Sequence, residues 1–309
     1  MWPFDRGVVL TLYLGTLALH AVFVGYVVIG SAYALIRRTD PVAATVRDRL
    51  PFMLGCGITA GVAPLLFIQL MHQRRFYTAN LLLGPRWFAV VPALVVGFYA
   101  LYLAKSSERF CRTALAVALA CFAFVAYSWS ELHELMQADP SWADFYAAGH
   151  RVFTVATIVP RFVIALGAMA ALFAAVGAWA ADAVGRSRIA VVAVVGRVVA
   201  VLGAVWLWKV GFAVTGPAVA WFGVLVAASV IDTGAWLVAM RRPTDRVLAV
   251  ATAGGAAALI AAAVVREAPR IALIETQPQA AVSGGAVAFA IALVLGIAAI
   301  AWVVRQIRT

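Results

Sequence analysis

Charge is what this sequence has least of. Only 12% of its 309 residues are charged and 13 are acidic, about half the charged share of a soluble domain. No connection between its apolar runs is long or polar enough to fold as a soluble domain. Cysteine is scarce: Cys56, Cys111 and Cys121 form no C-x-x-C pair for zinc and no C-x-x-C-H for covalent haem. The opening stretch, MWPFDRGVVLTLYLGTLALH, lacks a basic leader region and a cleavage site. It reads as a first spanning helix and not as a removable signal. A net charge of +11 accompanies no basic cluster interleaved with exposed aromatics, which excludes nucleic acid as a partner. What remains is apolar: 65% hydrophobic residues and a mean hydropathy of +0.99 place the chain in a bilayer.

A hydrocarbon core about 30 Å thick takes roughly 20 apolar residues per helix. Nine segments meet that requirement: about 8–36, 52–71, 87–104, 113–130, 152–181, 189–212, 217–240, 247–265 and 284–304. The expected fold is an all-α integral membrane protein, one transmembrane bundle of nine helices over residues 1–309. The connection 131–150 is expected to hold a short interfacial helix broken at Asp139-Pro140. From residue 189 the helices are rich in alanine and valine, with Gly254-Gly255 and Gly284-Gly285 suited to close helix contact. One alternate set of connections carries fourteen lysines and arginines, the other eight. The positive-inside rule then puts the N-terminus outside and the C-terminus in the cytoplasm, as expected for the inner membrane of a bacterium. His72, Arg74 and Arg75 run against the rule at the outer end of the second span, which invites an anion as their partner.

The four histidines share a leaflet. His72, His133 and His150 fall at the outer surface, where an imidazole is tolerated without a function. His20 lies near mid-membrane, and an ionisable group inside a span is a functional candidate by default. Its helix carries Tyr13, Thr16, His20 and Ser31 on one stripe. A neutral imidazole facing a bundle can bind haem iron through one nitrogen while the other donates to a carbonyl or hydroxyl. On the fifth span His150, Thr154, Thr157 and Arg161 share a face, and Arg161 needs a partner. A haem propionate is one; a carboxylate from another subunit is the plainer one. Arg197 and Asp232 sit at matching depths on neighbouring antiparallel helices, so they are expected to form an ion pair. Locking the bundle is its simpler role and a proton path the alternative.

Four stretches resemble, in order and spacing, the first five helices of cytochrome bd quinol oxidase subunit I: LALHAVFVGYVVIGSAYAL, MLGCGITAGVAPLLFIQLMH, ALACFAFVAYSWSELHELMQADPSWADF and GHRVFTVAT. The resemblance covers about residues 10–180. It implies nine spans, an outer N-terminus and haems near the outer face, with His20 and His150 as haem-iron ligands. The family's W-M-Q-x-P element appears here as ELMQADP. The departures are specific. The third span, WFAVVPALVVGFYALYLAK, has none of the family's glutamates, and VGFAVTGP replaces the long quinol loop between helices six and seven. Oxygen reduction by this chain is therefore not expected.

The expected function is a membrane b-type cytochrome subunit of a respiratory or quinone-linked electron-transfer complex. Haem b is held by His20 and His150, with His72 and His133 as further ligand candidates. Arg74, Arg75, Arg151 and Arg161 face propionates, because a guanidinium matches a planar carboxylate. Quinone in the membrane and an extracytoplasmic partner, a c-type cytochrome or an iron–sulfur protein, complete the path together with other membrane subunits. The alternative is a haem-free, bd-like anchor that only scaffolds such a complex. A solute transporter fits less well, since no inverted repeat is visible.

Overall fold

The computed structural model describes residues 6–149 and 151–274, together with residue 294. The chain divides into two compact units, residues 13–274 and the two terminal segments 1–12 and 275–309. The account below concerns the first unit. All regular structure among the described residues is helical: α1 (Arg6–Ile36), α2 (Pro41–Met71), α3 (Gln73–Leu83), α4 (Pro85–Phe88), α5 (Val90–Ser106), α6 (Cys111–Leu135), α7 (Trp142–Ala147), α8 (Ile158–Gly177), α9 (Ala183–Lys209), α10 (Ala218–Ala239) and α11 (Asp245–Ile271). Among the described residues eight helical segments are long and apolar enough to cross a membrane. The chain is a multi-pass membrane protein. The expected span 284–304 lies outside the described residues except for residue 294.

Local chemistry sets the helix ends. Asp40 caps α2, its carboxylate accepting from the Val42 N–H at 3.0 Å, and Pro41 follows at the first helical position. That position needs no N–H, so proline suits it. Asp182 caps α9 through the Gly185 N–H at 2.7 Å, and Thr244 caps α11 through Val247. Gly84, at φ 58°, makes the turn between α3 and α4 that a side chain would strain.

Small residues bring the spans together. In lipid no hydrophobic effect separates helix from tail, so association depends on packing and hydrogen bonds. Between α8 and α9 the backbones touch. A Cβ at Gly167 would strike the Gly196 carbonyl and the Ala200 nitrogen, and one at Gly203 would lie 2.9 Å from the Ile164 nitrogen. Gly97 of α5 leaves room for the ring of Phe122 on α6. Tyr26, Tyr33 and Phe173 pack ring against ring where α1 meets α8.

Several boundaries differ from expectation. Helix α2 starts at Pro41 and not near 52, and α8 starts at Ile158 and not near 152, so Thr154 and Thr157 precede the helix and do not share a helix face with Arg161. The connection 72–86 is mostly helix, since Phe76, Ala79, Leu82 and Leu83 give α3 a buried face. Helix α6 continues past residue 130 to Leu135, and α11 continues past residue 265 to Ile271. Both extensions are polar in sequence, so hydropathy alone ends them early. Their charged residues point into the protein and find partners there. Between α6 and α8 a single 3-10 turn, Asp139–Ser141, precedes the short helix α7, with Pro140 at the expected break.

Candidate functional site

The C-terminal ends of α2, α6 and α11 and the start of α8 carry most of the chain's buried charge. Four ion pairs hold them. Arg75 of α3 makes a forked contact with Asp139, 3.0 and 3.1 Å, and also donates to the Met136 carbonyl. Arg75 holds the Asp139 carboxyl below its usual range by hydrogen bonding and charge, against a smaller opposing cost of burial. Arg86 pairs with the fully buried Glu131, whose other oxygen accepts from the Phe153 N–H. Arg161 of α8 pairs with Glu134 at 3.0 Å and stacks over the Phe212 ring, while Glu134 also accepts from the Thr157 hydroxyl. Glu131 and Glu134 therefore point into the protein and tie the segment before α8 to α6.

The fourth pair lies deepest. Glu267 and Arg270, one turn apart on α11, are both buried and in direct contact. Glu267 also accepts from the Tyr13 hydroxyl of α1 at 2.8 Å and from Arg266 at 2.8 Å. His133 of α6 closes the cluster: its Nδ1 lies 2.6 Å from Arg270 Nη1 and 3.4 Å from Arg266 Nη2. A guanidinium only donates, so Nδ1 accepts and the imidazole proton sits on Nε2, 3.8 Å from Glu267 Oε1. These contacts tie α1, α6 and α11 together as a lock. Sequence reading missed Tyr13, Arg266, Glu267 and Arg270 as partners because residues 266–270 were read as a loop. The available signal was the buried spacing Ala258, Ala261, Glu267, Arg270, which carries the helical period through the charges.

His20 stands apart from the lock, two helical turns along α1 from Tyr13 and so about 10 Å away. Its Nδ1 lies 2.8 Å from the Gly57 carbonyl of α2. A carbonyl only accepts, so Nδ1 carries the proton and Nε2 presents a lone pair. The ring lies against Gly61, where an added Cβ would come within 2.7 Å of it. The Gly57-x-x-x-Gly61 face of α2 is thereby shaped to this imidazole. Between α9 and α10, Arg197 Nε donates to Asp232 Oδ2 at 2.6 Å. Gly254 and Gly255 of α11 make room for that carboxylate, which lies 3.3 Å from the position of a Gly255 Cβ.

A b-type haem, implied by the resemblance, needs an imidazole with a free nitrogen and cations for its propionates. His20 fits: one nitrogen is fixed by a carbonyl and the other has no hydrogen-bond partner among the described residues. His133 does not fit, because the arginines take its only lone pair. His72 is buried at the α2–α3 junction, and His150 lies outside the described residues. Arg75 and Arg161 already have carboxylate partners within the chain, Arg74 lies over the Trp142 ring, and Arg151 donates to the Leu82 carbonyl. Among the described residues no group of three or more metal-ligating side chains converges. No family model, no curated protein and no solved structure matches this chain.

Proposed function

We propose that the chain is a membrane b-type cytochrome subunit of a quinone-linked electron-transfer complex, with His20 as an axial haem ligand. The observation that carries this reading is the His20 imidazole, pinned through Nδ1 to the Gly57 carbonyl with Nε2 unspent. A carbonyl in that position fixes the tautomer and ring plane of a ligating histidine. Bound haem would supply one-electron transfer; the chain's part is to hold and orient it. His150 is the second ligand in this reading. Nine spans with the N-terminus outside and the C-terminus in the cytoplasm of a bacterial inner membrane put His20 slightly toward the outer leaflet. There a haem could exchange electrons with quinone and with an extracytoplasmic c-type cytochrome or iron–sulfur partner.

The buried lock favours a second reading, a haem-free anchor that presents a rigid end to partner subunits. Two of the arginines expected to face propionates are paired with carboxylates of this chain, Arg75 with Asp139 and Arg161 with Glu134. Reduced-minus-oxidised spectra and a pyridine haemochrome count on the purified complex separate the two. The cytochrome reading expects haem b in the wild type and loss of one haem in His20→Ala with helix content retained. A wild-type complex without any haem b band leaves the anchor.

A further inference from the structure

At the end of the bundle opposite the lock, a cleft of about 360 Å³ opens where the first turns of α2 and α9 meet the last turn of α8. Its lining is graded. Tyr26 and Val46 form a buried apolar floor, Val42 lines the wall, and Asp40, Asp182 and Arg188 form the rim. The three rim charges are unequally engaged. Asp40 is saturated: its carboxylate accepts from the Val42 N–H, from the Tyr33 hydroxyl at 2.9 Å and from Arg188 at 3.0 Å. Arg188 spends one amino group on Asp40, and its side chain remains 49% exposed, so its other donors face the opening. Asp182 spends one oxygen on the Gly185 N–H, and the other has no partner among the described residues.

One free carboxylate oxygen and one half-spent guanidinium therefore stand on the same rim above an apolar floor. The rim lies where spans end, at the depth of lipid headgroups, which add roughly 5 Å or more on each side of the hydrocarbon core. We propose that this cleft binds a phospholipid with a primary ammonium headgroup, its phosphate on Arg188, its ammonium on Asp182 and an acyl chain against the floor. Charge complementarity selects that occupant. Among the residues that line the cleft, Arg188 offsets Asp40, which leaves the single negative charge of Asp182. An anionic headgroup leaves that carboxylate unanswered, and a quaternary choline has no N–H to donate. The inference is independent of the haem reading, since it concerns the other end of the bundle.

The test measures lipid binding to the purified full-length chain by native mass spectrometry. The probes are phosphatidylethanolamine, phosphatidylcholine and phosphatidylglycerol with the same acyl chains. A charge-assisted hydrogen bond predicts about tenfold tighter binding of the ethanolamine lipid than of the choline lipid. Asp182→Asn keeps the helix cap, since asparagine caps as well as aspartate. It should erase that preference and leave choline-lipid binding unchanged. Arg188→Gln should weaken all three lipids. Equal binding of ethanolamine and choline lipids overturns the proposal, as does the strongest binding by phosphatidylglycerol. A preference that survives Asp182→Asn overturns it as well.

Discussion

The residue that matters most to this bundle is Glu267. It is the shared acceptor of Tyr13, Arg266 and Arg270, and Arg270 is only 3% exposed at its side chain. Removing one partner of a buried ion pair leaves the other charge uncompensated, which costs about 3–5 kcal/mol. Glu267→Gln should therefore lower stability by at least about 3 kcal/mol on that scale. Chemical unfolding in detergent, followed by circular dichroism, reads it. A loss of a few tenths would mean that Arg270 finds other partners. Asp40 offers a pH test. Burial raises its carboxyl, but the Val42 N–H, the Tyr33 hydroxyl and Arg188 outweigh that and hold it below the usual range. A depressed native value means the stabilisation is present above the unfolded value, about 3.9, and vanishes as pH falls through the native one. Wild type should exceed Asp40→Asn in melting temperature near pH 7, and the two should converge below about pH 4. At this scale the sequence was readable where two charges shared a depth on adjacent helices, as Arg197 and Asp232 do. It was unreadable for Tyr13 and Glu267, which stand 254 positions apart. Nothing local in either segment names the other.

Helix contact in this chain is governed by where side chains are missing. Gly167 sits against the backbone of α9, whereas a Cβ at Gly223 on α10 would meet nothing within 4 Å. The same substitution should then act in opposite directions. Gly167→Ala forces α8 from α9 and should cost about 1–3 kcal/mol by overpacking. Gly223→Ala only removes the helix penalty of glycine and should be neutral or stabilising by up to about 1 kcal/mol. Paired unfolding measurements check this, and equal effects would remove close packing as the reason for the glycines. Gly61→Val applies the argument to the site: its side chain would displace the His20 ring and should lower haem content in the cytochrome reading. Apolar runs made the spanning helices legible, because length and hydropathy decide what enters a bilayer. They failed at the start of α2, at the ends of α6 and α11 and at α3. In those places helices continue through charged residues that tertiary partners neutralise, which no hydropathy window can see.

The two ends of the molecule treat their arginines differently, and this bears on its orientation. At the lock end Arg75, Arg86, Arg161, Arg266 and Arg270 each contact a carboxylate of this chain. At the other end Arg47, Arg186 and Arg188 pair with Glu108, Asp245 and Asp40, but Arg37, Arg109, Arg112, Arg241, Arg242 and Arg246 form no ion pair within 4 Å among the described residues. The arginines of residues 74–86, which ran against the positive-inside count, thus have a structural reason to be where they are. The six unpaired arginines at the opposite end are the excess that the positive-inside rule expects on the cytoplasmic side. Single cysteines at Ser106 and Ser141, both exposed and at opposite ends of the bundle, test the placement. With spheroplasts and a membrane-impermeant maleimide, and the parent chain as the baseline, Ser141→Cys should label on intact cells. Ser106→Cys should label only after permeabilisation. The reverse pattern would turn the bundle over and move His20 toward the inner leaflet, removing the outward electron path. Labelling of both on one side would contradict the passage of α6 through the membrane, because Cys111–Leu135 is the only span between those two positions.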